Sequence, residues 1–160
     1  MNTPAKIVSF EEFDALRKMY SFGKIVCTSG GYDPIHPGHT SCIMNSKFYG
    51  DTLVVIVNGD NFLTAKKGKP FMNLDTRCRL VASVRNVDYV IPFEIENDMT
   101  VCVALRKLRP DVFTKGGDRT DYTNIPEWEV CKELGIEIVP KVGSSKVWSS
   151  SDLLNKWKED

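Results

Sequence analysis

His36 and His39 are the chain's two histidines, and both close the run Gly30-Gly31-Tyr32-Asp33-Pro34-Ile35-His36-Pro37-Gly38-His39. Histidine is the side chain best suited to gain, share or lose a proton near neutral pH. Three apart at the mouth of a helix, both rings face one point, together with the free N–H groups of the first turn. That combination binds an anion and stabilises charge developing in phosphoryl chemistry. Gly30 and Gly31 allow close backbone approach to a ligand, and Pro37-Gly38 turns the chain into the helix. The spelling is neither a Walker A loop, which needs Gly-Lys-Ser/Thr, nor the Gly-x-Gly-x-x-Gly dinucleotide fingerprint. The alternative is a plain turn with two surface imidazoles.

Such a loop needs a strand before it and a helix after it. Short runs, mostly rich in β-branched residues, predict strands at Lys24–Ser29, Thr52–Asn58, Tyr89–Pro92, Val112–Lys115 and Glu137–Val139. Helices are predicted at Phe10–Met19, Thr40–Tyr49, Asp75–Arg85, Thr100–Leu108, Glu127–Leu134 and Ser149–Lys158. Thr100 would cap one of these, and Gly135 would end another. The alternation implies an α/β, Rossmann-like parallel sheet of about five strands with helices on both faces. The whole chain, 1–160, reads as one domain. Ligands in such sheets bind beyond the carboxyl ends of the strands, at a topological switch point. The unusual residues cluster there: Gly30–His39 after the first strand, Asn58-Gly59-Asp60 after the second, Lys115-Gly116-Gly117-Asp118 after the fourth.

Composition narrows the partners. Lys and Arg total 21 and so do Asp and Glu, so no global positive field points to nucleic acid. Any anion site must come from local placement of charge. The five cysteines, Cys27, Cys42, Cys78, Cys102 and Cys131, form no CxxC pair, which argues against a zinc site or a disulfide framework. Reduced thiols suit the cytoplasm. No apolar run approaches the ~18 residues of a membrane span.

The pattern Gly-x-x-Asp-x-x-His-x-Gly-His resembles the signature of the cytidylyltransferase-like nucleotidyltransferase superfamily. Within it the chain looks most similar to the adenylyltransferases that act on D-glycero-β-D-manno-heptose 1-phosphate. The opening Thr28-Ser29-Gly30-Gly31-Tyr32-Asp33 is similar to that family's Thr-Asn-Gly-Cys-Phe-Asp, and Val57-Asn58-Gly59-Asp60 to its Val-Asn-Ser-Asp. Lys69-Pro70-Phe71-Met72-Asn73-Leu74-Asp75-Thr76-Arg77 is similar to Arg-Pro-x-x-x-Leu-x-x-Arg. Val87–Phe93 and Pro110–Asp118 match further segments, and Lys-Gly-Gly-Asp is more typical of this branch than of the cytidylyltransferases. Two segments depart. Where the superfamily often has Gly-x-Ser-Thr-Thr, this chain has Val147-Trp148-Ser149-Ser150-Ser151, and the stretch around Lys66-Lys67-Gly68 is shorter.

The resemblance implies transfer of a nucleotidyl group from a nucleoside triphosphate, with ATP favoured, to a phosphorylated acceptor, releasing pyrophosphate. It implies Mg²⁺ carried by the triphosphate with few protein ligands, and a homodimer. His36 and His39 would bind the triphosphate and stabilise the pentacoordinate α-phosphorus. Lys67 and Arg77 would assist them, and Lys66, Asn58 and Asp60 would face substrate. Gly30, Gly31, Tyr32, Asp33, Gly38, Lys115, Gly116, Gly117, Asp118, Ser149, Ser150 and Ser151 would line the nucleotide. Several have structural alternatives. Asp33 either caps backbone N–H groups or helps to place a metal–triphosphate. Lys66 and Lys67 reach phosphate from a mobile loop or are solvated. Arg77 clamps phosphate or makes a surface ion pair. Asp60 contacts ligand or caps a helix, and the serines do the same. Lys115–Asp118 are nucleotide contacts or turn chemistry. Trp148 reads more as a packing aromatic than a base stacker. Two other functions stay open: a cytidylyltransferase for glycerol 3-phosphate, phosphoethanolamine or a phosphonate, and a nucleotide-binding module without catalysis.

Overall fold

The computed structural model describes residues 5–95, 98, 100–117, 121–144 and 149–159. Among these residues, six parallel strands form one sheet: β1 (Lys6–Ile7), β2 (Ile25–Gly30), β3 (Thr52–Asn58), β4 (Tyr89–Phe93), β5 (Val112–Thr114) and β6 (Glu137–Val139), in the order β1-β4-β3-β2-β5-β6. The strand beyond the five expected is β1, a two-residue edge that pairs Lys6 with Tyr89 and Ile7 with Val90. Pro92 falls in β4 past the end of β1, where the strand is an edge and a missing donor is tolerated.

Among the described residues, seven helices cover the sheet: α1 (Phe10–Met19), α2 (Pro37–Ser46), α3 (Asp60–Lys67), α4 (Leu74–Ala82), α5 (Cys102–Leu108), α6 (Pro126–Leu134) and α7 (Ser150–Glu159). Strand side chains alternate between faces. Val54 and Ile56 of β3 join Phe13 of α1, Leu105 of α5 and Cys131 of α6 in one core. Leu53, Val55 and Val57 join Ile43 of α2 and Val81 of α4 in the other. Covering both faces explains why β3 reads as an unbroken apolar run.

Several boundaries differ from the sequence expectation. Helix α2 begins at Pro37 rather than Thr40, which makes His36 its N-cap and puts His39 in its first turn. It ends at Ser46 and gives way to a 3-10 turn over Lys47–Tyr49. Lys66 and Lys67 lie in the last turn of α3, not in a loop. Helix α4 stops at Ala82, short of Arg85. Helix α5 starts at Cys102, so Thr100 is outside it, yet its hydroxyl still accepts the Cys102 N–H at 3.3 Å. Gly135 ends α6 in the left-handed conformation, φ 70°. Among the described residues, no helix is long and apolar enough to cross a membrane.

From β2 the chain moves outward to β3 and β4, then returns to place β5 on the other side of β2. The reversal opens a crevice between the carboxyl ends of β2 and β5, the position where such sheets bind ligands.

Candidate active site

A cleft of about 320 Å³ occupies that crevice. Thr28 and Ser29 at the end of β2 form its floor, and Gly116 and Gly117 after β5 form one side. His36, Gly38, His39 and Cys42 enter from the start of α2, Ser149, Ser150 and Ser151 from the start of α7, and Lys66 from the end of α3. Two helix N-termini thus meet one cavity, and each carries partial positive charge.

The histidines are fixed by the helix that they begin. His36 Nδ1 accepts the N–H of Gly38 at 3.1 Å and of His39 at 3.4 Å. His39 Nδ1 accepts the N–H of His36 at 3.3 Å, closing a reciprocal capping box. The rings stack with centroids 3.6 Å apart and planes 19° from parallel. With Nδ1 accepting, each imidazole carries its N–H donor on Nε2. Burial, then the charges of His36, Lys66 and Lys67, pull His39 down to a pKa of about 3. His39 is therefore neutral near pH 7 and offers an Nε2–H donor without competing as a base. The edge of Tyr32 packs against it, centroids 5.1 Å apart.

Tyr32 is buried with φ 54°, and Gly30 makes room for its ring: a Cβ there would lie 2.9 Å from the Tyr32 ring. Beneath the cleft, Thr28 Oγ1 donates to the Thr114 carbonyl at 3.1 Å, and the Ser46 and Thr114 hydroxyls lie 2.6 Å apart. These bonds tie β2, β5 and α2 together where the crevice opens. Cys42 sits against Gly116, where a Cβ would lie 3.2 Å from its sulfur. Burial raises the Cys42 pKa and keeps it a thiol. At the other wall, Ser149 Oγ accepts the Asp152 N–H at 3.4 Å as an α7 cap, and Ser150 donates to the Pro34 carbonyl at 2.8 Å.

Other residues expected at the site are spent inside the protein. Arg77 has no exposed side-chain surface. It donates to the carbonyls of Met72 at 2.9 Å, Gly31 at 2.9 Å and Asn58, and pairs with Asp60 at 2.7 Å. It is neither a phosphate clamp on the cleft nor a surface ion pair, because its donors hold the loop after β2 and the end of β3 to α4. Asn58 and Asp60 belong to that cluster and do not line the cleft. The Asp33 carboxylate is buried and accepts the N–H groups of Phe71 and Met72, each at 2.7 Å, with Lys67 3.1 Å away. Lys67 also donates to the Asp33 carbonyl. Lys66 makes no ion pair among the described residues, and its ammonium lies 6.0 Å from the Phe62 ring. Gly31 and Lys115 are not part of the lining, and the Lys115 ammonium lies over the Phe113 ring at 5.4 Å. Asp118 and Trp148 lie outside the described residues.

Thr28, Ser29, Cys42 and Ser144 line the cleft without having been singled out by sequence. Thr28 and Ser29 had a signal, two hydroxyls at a strand end beside the glycines. Ser144 had none, since its place depends on its N–H reaching Ser41 Oγ at 2.8 Å, across 103 residues. Among the described residues, no cluster of His, Cys, Asp or Glu can hold a metal, and no carboxylate lines the cleft.

Residues 27–153 match the family model described as Cytidylyltransferase-like. Two curated relatives are the "Bifunctional protein HldE" of Sulfurimonas denitrificans, 38% identical over 71% of this chain, and that of Methylococcus capsulatus, 35% identical over 72%. The chain spans about a quarter of their length, 24% in each case. A solved structure titled as a lipopolysaccharide core biosynthesis protein from Thermoplasma volcanium has a TM-score of 0.63 and 26% identity, over 76% of this chain and 98% of that one. A pantoate-beta-alanine ligase from Francisella tularensis, solved with beta-gamma ATP and beta-alanine, has a TM-score of 0.65 over 94% of this chain and 73% of its own. At 16% identity that likeness speaks for the fold alone.

Proposed function

Because the chain belongs to the cytidylyltransferase-like family and is a nucleotidyltransferase, we propose that it moves the adenylyl group of ATP onto a sugar 1-phosphate, of which heptose 1-phosphate is the nearest model. The observation that carries this reading is the meeting of two helix N-termini, two stacked imidazoles and the Lys66 ammonium in a single cleft. The motif resemblance to heptose 1-phosphate adenylyltransferases supports the sugar acceptor. So does the likeness to a protein titled for lipopolysaccharide core biosynthesis.

The acceptor brings its own nucleophile, a phosphate oxygen already ionised at neutral pH. It attacks the α-phosphorus, the bond from that phosphorus to the bridging oxygen of the β-phosphate breaks, and pyrophosphate leaves with the electron pair. No general base and no covalent intermediate are needed, so the work is alignment and charge stabilisation. His36 and His39 donate Nε2–H bonds to the α-phosphoryl oxygens as negative charge grows. The first-turn N–H groups of α2 and α7, with Ser149–Ser151, hold phosphate oxygens, and Lys66 neutralises the leaving pyrophosphate. A bound polyanion favours the charged form of His39, so its pKa rises from about 3 when the triphosphate arrives.

Among the described residues the cleft lining is neutral or cationic, with no carboxylate, which fits a divalent cation that would arrive already bound to the phosphates. When bound it would supply charge neutralisation on the triphosphate.

Pyrophosphate release with Mg²⁺, comparing ATP and CTP across sugar 1-phosphates, glycerol 3-phosphate and phosphoethanolamine, tests the reading. Release with ATP and a sugar 1-phosphate supports it. Release with CTP and an alcohol phosphate moves the chain to the cytidylyltransferase branch. Nucleotide binding with no release by any pair points to a module without catalysis.

A further inference from the structure

Lys66 and Lys67 are neighbours in the last turn of α3. Consecutive side chains on a helix diverge by about 100°, so the two ammonium groups do not face the same point. The structure divides them accordingly. Lys66 is exposed and lines the cleft. Lys67 turns inward with 18% of its side chain exposed, and its ammonium lies 3.1 Å from an Asp33 carboxylate that is only 1% exposed. The same ammonium donates to the Asp33 carbonyl. Asp33 also takes the N–H groups of Phe71 and Met72, so it gathers three donors from the end of α3 and the segment after it.

Two physical points follow. Moving Lys67 onto an incoming phosphate would leave a desolvated carboxylate without its counter-ion, which is costly. In addition, Leu63 is the buried residue of α3, and Gly68, φ 92°, ends the helix directly after Lys67. The rotation of the last turn therefore depends heavily on the Lys67–Asp33 contact.

We propose that Lys67 is a positioning residue: anchored on Asp33, it holds the last turn of α3 at the rotation that delivers Lys66 to the triphosphate. This rests on the reading of the cleft as a triphosphate site. Lys67 itself does not touch phosphate.

The test is a double-mutant cycle on the full chain, with inorganic tripolyphosphate as the probe and calorimetry as the readout. Lys66→Ala weakens binding about tenfold, as for the loss of a charge-assisted hydrogen bond. Lys67→Met weakens it several-fold in the wild-type background and not at all in the Lys66→Ala background, the non-additivity of residues acting through one another. Asp33→Asn is a second route to the same loosening and shows the same dependence on Lys66. Lys67→Arg keeps the ion pair and restores affinity to within about twofold. Additive losses in the double variant would place Lys67 on the phosphate and overturn the proposal, as would wild-type affinity in Lys67→Met. Failure of the wild-type chain to bind tripolyphosphate would instead overturn the reading of the cleft.

Discussion

Replacing Arg77 by leucine should unfold much of the protein's stability reserve without the cleft losing a single lining group. The guanidinium is fully buried, and its loss leaves the carbonyls of Gly31, Asn58 and Met72 without their donor and Asp60 without its partner. Each buried acceptor left unsatisfied costs about 1–3 kcal/mol. Local collapse and water entry recover part of this, so breaking such a buried pair costs about 3–5 kcal/mol in total. Against a typical total of about 5–15 kcal/mol, that is a large share. The control sits two positions along the same helix: Arg79 pairs with Asp75 at 3.0 Å, but their side chains are 74% and 70% exposed. Arg79→Leu should stay within about 0.5 kcal/mol of the wild type. Urea unfolding followed by circular dichroism measures both, with the slope checked for constancy. A loss below about 1 kcal/mol for Arg77→Leu, with turnover collapsing, would refute the buried-tether account and return Arg77 to the phosphate.

Four further outcomes follow from the site. His39→Ala should lower kcat by about 10²-fold or more, measured where the variant is still fully folded, as for the loss of a transition-state donor. The same histidine should make the fold sensitive to acid. Its folded pKa of about 3 lies below the ordinary value of 6.5, so its contribution is complete above pH 6.5 and is lost as pH falls towards 3. Thermal melts between pH 7 and pH 4 should therefore decline less steeply for His39→Asn than for the wild type, and parallel declines would contradict the buried neutral imidazole. Gly143→Ala should damage both stability and nucleotide binding, because Gly143 has φ 97° and an added Cβ would lie 2.7 Å from the Cys42 backbone nitrogen. Gly117→Ala, with φ 84° and open space around the Cβ, should cost only about 1 kcal/mol of conformational strain, readable as a shift in the urea midpoint.

What the sequence reveals and hides follows from how local each signal is. The His36–His39 loop is legible because glycines, a proline and two imidazoles announce a strand-to-helix turn within a few residues. Helix α1 is legible at its start because Ser9 and Glu12 form a capping box within one turn. The edge strand β1 is not, since two residues carry no alternation. Helix α3 is hidden for a different reason. Its first N–H groups, those of Asp60 and Asn61, are satisfied by the Glu94 carboxylate at 2.9 and 3.0 Å, a partner more than thirty residues away. Arg77 and Lys67 show the same limit at the level of function. A charged residue is rarely buried without partners, and most of Arg77's partners are backbone carbonyls, which leave no mark in side-chain spelling. Sequence can collect the charged groups around the loop. Only the packing separates Lys66, which reaches the cleft, from the two that hold it in shape.

The most direct test of the central claim follows the α-phosphorus itself. ATP labelled at the α-phosphate would be turned over with heptose 1-phosphate and Mg²⁺, and the products would be separated. Label recovered in a nucleoside diphosphate sugar, with unlabelled pyrophosphate released in equal amount, is the predicted result. Label recovered only in ADP or AMP, with the sugar phosphate unchanged, would contradict it.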